Sequence, residues 1–505
     1  MSYQVLKFNL QNLRNSFSNQ HIPRENLNQF SKLNYLHRYL RELRCATMVI
    51  EHDYVDGDYL DDYTQYYAKC FKPYERFCRR LHFFSAEFNR KQFTSLIEKK
   101  IPNNEEERFV KNYLGFAVAK PLPEAIIGRT VLKTYPLDGG RRNFHGIREY
   151  QVNLYGIKFK IDSLAFHEQD TVVGACATSA LWSAFQKTCH LFGKEAPTPA
   201  TITQLGTRHI LSSRALPSHG LSVEQICEAV RAVGLEPEVY KVNPSVPVVS
   251  LIYAYLRAGL PAILAINVQQ RGLHGVTVLG YSIEEGSVRE TEVLSGYRMP
   301  PLMGLRISKL YAHDDQIGPF ARMIIHPGAE QYPVRFKGTW STLHGQDAWL
   351  DPVYVIVPVY HKIRIKFLEV LKWPHRLTQF FQFLGLTSTS GPLRLRWDIF
   401  LSTVNELKNS LRVLMPNSQL LKCINVRSHP RFIWRVRAYH ETVPLFEMLV
   451  DATDIARSFF PYLVWFEHLG MRNVIRSQVG RRDWDEAVTR YLSSKFVKLF
   501  REAVA

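Results

Sequence analysis

The sequence lacks the features that mark membrane, secreted and zinc-binding proteins. Its longest apolar runs, such as YVIVPVY at 354–360, are far below membrane-spanning length, and MSYQVLKFNLQNLRNSF has no apolar signal-peptide core. The seven cysteines form no Cys-x-x-Cys pair and no Cys/His spacing that suits zinc. These absences predict a soluble cytoplasmic protein with reduced thiols, no membrane association, and no metal or organic cofactor.

Length and composition predict a globular protein of several domains. At 505 residues, with 46% hydrophobic and 22% charged residues, the chain is too long for one core and suits two to four domains. The net charge is +18, and residues from Lys362 onward hold 23 Lys or Arg against 12 Asp or Glu, an excess of 11. That excess is typical either of a region that binds an acidic partner or of a basic solvated surface. The scattering of these charges favours the solvated surface.

Patterning predicts three consecutive regions in an α+β chain. Residues 1–120 are expected to be mostly helical, with amphipathic helices over 29–51, 59–83 and 86–100. The acidic stretch EHDYVDGDYLDDY does not match an EF-hand loop and predicts the N-terminal turn of a helix. Strands lead into a region at 121–330, and a basic region of mixed strands and helices fills 331–505.

The central region has clear start and stop signals. In QDTVVGACATSALWSAF a helix begins near Cys176, and Gly193 ends it. Ser222 and Gln225 form the capping box of a second helix, and a third ends at Gly259. Strands are predicted from about 262, over HGVTVLGYSI, over ISKLYAHDD and over WLDPVYVIVPVYHKIRI.

In the C-terminal region, three segments look helical and two look like strands. The predicted helices are IFLSTVNELKNSLRVLM, TDIARSFFPYLVWFEHLG and DWDEAVTRYLSSKFVKLF; the predicted strands are RFIWRVRAYH and LFEMLVDAT. Trp434 and Arg435 offer an aromatic-basic strand for recognition of an acidic protein or nucleic acid. No nucleic-acid recognition motif accompanies the charge.

The order of elements from 165 to 325 resembles the papain-like cysteine peptidases, most closely their bacterial C39-like, or double-glycine, branch. The matching stretches are QDTVVGACATSALW, GLSVEQICEAVRAVGLEP, AGLPAILAINV, LHGVTVLGYS and LYAHDDQIGPF. They cover roughly the middle third of the chain. The resemblance implies a papain-like domain and a catalytic set of Gln169, Cys176, His274 and Asp314.

Elementary chemistry supports these roles. A cysteine in the first turn of a helix is favoured as the thiolate, and a histidine beside it would stabilise that anion and protonate the leaving amine. Gln169 and the backbone N–H of Cys176 would both donate hydrogen bonds to the oxyanion. Gln169 precedes Cys176 by seven positions, one more than is usual in the family. Alternation along the strand permits only one of Asp314 and Asp315 to face His274, and the family's pattern favours Asp314.

Other interpretations of these residues and of the function stay open. A lone cysteine on an Ala-rich helix is usually a packed small hydrophobe, as we expect for Cys189 and Cys227. The separation of 40 residues between His274 and Asp314 predicts an insertion around 283–305. The predicted function is hydrolysis of a peptide or isopeptide bond in a protein or peptide substrate, with a regulatory protein as a further partner. The alternatives are a transglutaminase-like acyltransferase and a non-catalytic binding module.

Overall fold

The structure is a computed structural model, which describes the chain outside residues 1–2, 101, 171, 173, 210–219, 270, 285–292, 295–296, 299, 329–333, 339–347, 389–390, 417, 457–458 and 505. Helices and sheets alternate along the chain, so the predicted α+β class is confirmed. None of the described helices has both the length and the apolar character that a bilayer crossing requires.

The N-terminal part is built on a five-stranded antiparallel sheet whose strands follow chain order. The strands are β1 (Tyr3–Lys7), β2 (Thr47–Tyr54), β3 (Cys78–Phe84), β4 (Tyr113–Ala119) and β5 (Ile127–Leu132). The helices are α1 (Leu10–Phe17), α2 (Ser31–Glu42), α3 (Gly57–Gln65), α4 (Arg90–Ile97) and α5 (Asn103–Lys111), with 3-10 helices at Arg24–Gln29 and Tyr67–Lys69.

Two predicted helices in this part are too long. The helix predicted over 29–51 ends at Glu42 and is followed by β2, and the one predicted over 59–83 ends at Gln65 and is followed by β3. β2 and β3 pair with each other across the sheet, a long-range contact that periodicity within one segment does not reveal. The acidic stretch does begin a helix, as predicted, because the Asp56 side chain caps α3 by accepting from the Tyr59 N–H.

A hairpin covers one face of this sheet. It consists of β7 (Arg148–Leu154) and β8 (Ile157–Ser163). The ring of Phe159 stacks on Tyr113 at 4.2 Å. Gly115, at φ +117°, permits this close packing, because a Cβ there would lie 2.9 Å from Cδ1 of Ile161. Three strands that we assigned to the 121–330 region, β5, β7 and β8, therefore pair with or pack on the N-terminal sheet.

Four helices follow: α6 (Cys176–Phe192), α7 (Pro199–Thr207), α8 (Val223–Ala232) and α9 (Val248–Leu256). α6 is buried along most of its length and ends at Gly193 in the left-handed conformation, at φ +65°. The Ser222–Gln225 capping box begins α8. The predicted boundaries of α6 and α8 are confirmed.

The next strands close into a six-stranded antiparallel barrel, because the last strand, β17, pairs back with β10. The barrel strands are β10 (Ala262–Val268), β11 (Gly272–Ile283), β14 (Ile307–Asp314), β15 (Gly318–Pro327), β16 (Val334–Gly338) and β17 (Trp349–Val359). Short pieces outside the barrel are β6 (Arg142–Asn143), β9 (Glu236–Lys241), β12 (Val293–Leu294), β13 (Tyr297–Arg298) and the 3-10 helix Met303–Arg306. The barrel extends to Val359, beyond the boundary predicted at 330. Much of the predicted 283–305 insertion lies outside the described residues.

The C-terminal part contains a second antiparallel sheet of four strands in chain order. Its strands are β20 (Leu395–Thr403), β21 (Phe432–His440), β22 (Val443–Asp451) and β23 (Pro461–Phe466), and a small hairpin pairs β18 (Thr387–Ser388) with β19 (Gly391–Pro392). Its helices are α10 (Phe367–Val370), α11 (Lys372–Phe383), α12 (Val404–Leu414), α13 (Gln419–Val426), α14 (Leu469–Gln478), α15 (Arg482–Tyr491) and α16 (Ser494–Val504).

Three features of this part differ from the prediction. The helix predicted over 483–500 is divided into α15 and α16. Residues 399–403 and 461–466 were predicted as helix but lie in β20 and β23, the two edge strands of the sheet, because they pair with β21 and β22. The proposed recognition strand is internal: Trp434 is fully buried, and Arg435 is 3% exposed. The Trp434 indole donates to the Ile365 carbonyl, so it is a core residue and does not offer a recognition surface.

Glu447 is fully buried and holds two arginines of β21. Its carboxylate accepts from Arg435 and, at 2.6 Å, from Arg437. We expect Glu447→Gln to lower the free energy of unfolding by about 3 kcal/mol, because the buried Arg435 guanidinium loses the carboxylate that is hydrogen-bonded to it. Urea unfolding would measure the loss. An equally stable variant would show that water reaches these arginines.

Candidate active site

Cys176 is the first residue of α6, at the end where the backbone N–H groups lack partners within the helix. The preceding residue, Ala175, has no side chain to cap these groups. This end of a helix stabilises an anion. Cys176 is partly exposed. Cys176 therefore combines a helix N-terminus with access from solvent, which a packed core cysteine lacks.

β11 brings His274 to the start of α6. Its next residue, Gly275, lies against the first helical turn, where an added Cβ would sit 3.5 Å from Cα of Ala177. Further along the strand, the Thr277 hydroxyl donates to the Ala180 carbonyl at 2.6 Å and fixes the strand on the helix. The His274 imidazole therefore lies beside the Cys176 thiol, and this neighbour contributes to the raised pKa of His274.

Two carboxylates lie on the other side of this imidazole. Nε2 of His274 lies 2.9 Å from Oδ1 of Asp314 and 3.6 Å from Oδ1 of Asp315. The expectation that only one aspartate faces His274 is wrong. β14 ends at Asp314 and a turn begins at Asp315, so strand alternation does not apply to the second residue. Only Asp314 is within hydrogen-bond distance.

The electrostatics favour the imidazolium form of His274. Burial alone would lower its pKa, but the charges of Asp314 and Asp315 and the hydrogen bonds to Asp314 and Cys176 outweigh burial and raise the pKa well above its ordinary value. Burial raises the pKa of Asp315 to about 6, against the opposing effect of His274. The site thus holds a cation between a thiol and two carboxylates.

The neighbouring His313 shows the opposite behaviour. It is buried, its Nδ1 accepts from the Phe320 N–H, and its Nε2 donates to the Leu164 carbonyl. Burial lowers its pKa to about 3, so it stays neutral. Among the described residues no carboxylate offsets the burial of His313, in contrast to His274, so we interpret His313 as a structural residue.

Gln169 lies in the segment that leads to Cys176, but its role remains a prediction. It is half-buried, and its amide makes no hydrogen bond to the part of the chain that the structure describes. Both neighbours are fixed: Glu168 pairs with Lys32 and accepts from the Ile127 N–H, and Asp170 accepts from the Tyr67 hydroxyl. Asp170 also accepts the Gly174 N–H through its carbonyl at 3.0 Å, which closes the longer loop.

Sequence reasoning missed these anchors from the N-terminal part. Lys32 belongs to α2 and Tyr67 to a 3-10 helix, more than a hundred residues before the loop that they hold. The positions of Lys32 and Tyr67 in the sequence do not indicate that they contact this loop. Gly275, directly after His274, is the one neighbour whose lack of a side chain could have indicated a close approach.

Three side chains of the site also form a potential metal cluster. Ligand atoms of His274, Asp314 and Asp315 all lie within 4.8 Å of one another. However, Nε2 of His274 already hydrogen-bonds with Asp314, and a metal on that nitrogen would have to break this contact. The geometry therefore fits a histidine oriented by a carboxylate better than a metal centre.

Comparison of the chain with models of known protein families, with curated proteins and with solved structures finds no match. The interpretation of the site therefore depends on the geometry and on the motifs in the sequence.

Cys176 is expected to react with iodoacetamide faster than the other six cysteines. Its thiol is partly exposed at a helix N-terminus beside His274, a setting that raises thiol reactivity, so we expect a rate roughly 10- to 100-fold above that of the other cysteines. This advantage should hold at neutral pH and be lost as the pH rises through the raised pKa of His274. Peptide mass mapping after timed labelling measures each rate.

The other cysteines provide internal controls for this measurement. Burial raises the pKa of Cys45 and Cys189 to about 12, whereas Cys423 is exposed. His274→Ala should reduce the Cys176 rate to that of Cys423. If Cys176 in the wild-type protein labels no faster than Cys423, the assignment of the nucleophile is wrong.

Proposed function

We propose that this chain is a papain-like cysteine peptidase that hydrolyses a peptide or isopeptide bond of a protein substrate. The observation that carries the proposal is the alignment of Cys176, His274 and Asp314, in which the imidazole contacts the thiol on one side and a carboxylate on the other. A six-stranded barrel packed on the helix that begins with the cysteine is consistent with such a domain.

The reaction follows from the positions of these groups. The Cys176 thiolate attacks the carbonyl carbon, and the anionic tetrahedral intermediate collapses as His274 protonates the leaving amine. The resulting thioester is hydrolysed by a water molecule from which neutral His274 removes a proton. The protonated imidazole then returns its proton to the departing thiolate or remains paired with it.

The oxyanion would be bound at the start of α6. The backbone N–H of Cys176 is one donor, and the Gln169 amide is the proposed second donor; hydrogen bonds hold the residues on either side of Gln169. Removing one oxyanion donor costs about 10²- to 10³-fold in turnover. Asp314 orients His274 and stabilises its charged form.

The experiment that tests the proposal compares protein fragments made by the wild-type chain and by Cys176→Ala. Each is incubated with a native cytosolic extract, and new N-termini are identified by mass spectrometry. Cleavage sites that require Cys176 support the proposal. If labelling shows a reactive Cys176 thiol but no such site appears, hydrolysis is not the reaction.

A trapping experiment separates hydrolysis from acyl transfer. The extract is supplemented with a biotinylated primary amine, and acyl groups on Cys176 are detected by mass spectrometry. Products ending in a free carboxylate indicate hydrolysis; amine-linked products would identify an acyltransferase. An inert Cys176 thiol would instead favour the binding-module alternative.

A further inference from the structure

Helices α12 and α13 form a hairpin on the C-terminal sheet that combines exposed cations with exposed aliphatic side chains. Leu407, Leu411 and Ile424 are buried against the sheet. On the outward side, Val413, Leu414 and Val426 are 80%, 65% and 88% exposed. These values are far above those of the aliphatic residues beneath them, so the hairpin presents apolar side chains to solvent.

The same segment is strongly basic. From Leu407 to Arg431 the sequence contains Lys408, Arg412, Lys422, Arg427 and Arg431 and no Asp or Glu. Among the described residues, Lys408, Arg412, Lys422 and Arg427 make no ion pair. Their charge is therefore not neutralised within the hairpin.

Two of these cations, Lys408 and Arg427, act on a common region of the surface. His429 follows α13; burial lowers its pKa, and Lys408 and Arg427 lower it further. Lys408 is on α12 and Arg427 ends α13, so charges from both helices meet near His429. Val426 adjoins this end of the hairpin, and Val413 and Leu414 lie at the end of α12.

We propose that the α12–α13 hairpin binds an acidic segment of a protein partner that carries aliphatic side chains between its carboxylates. The carboxylates pair with Lys408, Arg412, Lys422 and Arg427, and the aliphatic side chains cover Val413, Leu414 and Val426. Burial of exposed aliphatic groups contributes affinity, and charge complementarity contributes orientation and speed of association.

The chemistry of the surface favours a protein over other occupants. The exposed residues between the cations are aliphatic, whereas binding of single-stranded nucleic acid uses aromatic side chains for base stacking. Membrane-surface helices usually add Trp or Phe to their apolar face, and neither helix contains one. A second copy of this chain carries the same net charge of +18 and would be repelled.

The test measures binding of the full chain to a fluorescein-labelled peptide built from Leu-Glu-Glu-Leu repeats. We expect saturable binding that weakens roughly tenfold or more in Arg412→Ser/Lys422→Ser/Arg427→Ser and similarly in Val413→Ser/Leu414→Ser/Val426→Ser. Peptides with Leu→Ser or Glu→Gln replacements should each bind roughly tenfold more weakly.

Arg481→Ser/Arg482→Ser/Arg490→Ser is the matched control, because it removes three exposed charges of the C-terminal part outside the hairpin. It should bind the repeat peptide like the wild-type chain. A mixed-sequence single-stranded DNA and phosphatidylserine vesicles are measured beside it. The proposal is overturned if the serine variants at Val413, Leu414 and Val426 bind unchanged, or if DNA or vesicles bind more tightly than the peptide.

Discussion

Cys176→Ala and His274→Ala are each expected to reduce turnover of a substrate found in the cleavage comparison by at least about 10⁴-fold. The first variant lacks the nucleophile, and the second lacks both the counter-ion of the thiolate and the acid for the leaving amine. Groups that act as one unit have non-additive effects, so the double variant should be no slower than the worse single one. Steady-state rates for the three variants check this expectation.

The matched control is Cys189→Ala, a cysteine of the same helix that is buried away from His274. It should retain turnover within a few-fold and lose only a little stability. Thermal unfolding of all variants excludes loss of the fold as the cause. Retained turnover in Cys176→Ala, or additive losses in the double variant, would contradict the proposed mechanism.

Asp314→Ala should reduce turnover by roughly 10²- to 10⁴-fold, because His274 loses the carboxylate that hydrogen-bonds with its Nε2. Asp315→Ala should act mainly through the turn, where its side chain accepts from the Gln316 amide at 3.0 Å. Its carboxylate lies 3.6 Å from Nε2 of His274, too far for a hydrogen bond. Turnover rates of the two variants test which aspartate orients His274. A larger loss of turnover in Asp315→Ala than in Asp314→Ala would assign that role to Asp315.

A stability titration provides a readout for Asp315 that does not depend on turnover. Its folded pKa of about 6 lies above the ordinary value for aspartate, so the folded state holds this proton more tightly than the unfolded state. The stability that this group contributes is therefore present at low pH and is lost as the pH rises towards 6. In Asp315→Asn, the free energy of unfolding should depend less on pH in this range.

The elements around the site were predictable where local signals were strong. Gly193 and the Ser222–Gln225 capping box determine helix ends by their own chemistry, and the structure places the ends there. By contrast, β2 and β23 were missed because their apolar residues gain burial from strands elsewhere in the chain. Pairing between two distant segments produces no hydrophobic periodicity within either segment that would reveal the pairing.

The candidate site, too, was predictable from local sequence signals but not from contacts between distant segments. The residue types and order of Cys176, His274 and Asp314 were predicted from the sequence, and the structure brings these three side chains together. The second carboxylate was misjudged because a turn, not a strand, carries Asp315. The anchors of the Gln169 loop could not be predicted, since Lys32 and Tyr67 meet it only in the folded chain.

The closed barrel has a consequence for how this site tolerates change. His274 and Asp314 lie on β11 and β14, which are hydrogen-bonded neighbours although 40 residues separate the two side chains. Strand register determines their distance, so the intervening segment can lengthen or diverge without moving either group. The segments between β11 and β14 can therefore change in evolution, or be changed by design, to alter substrate specificity while the catalytic groups stay in place.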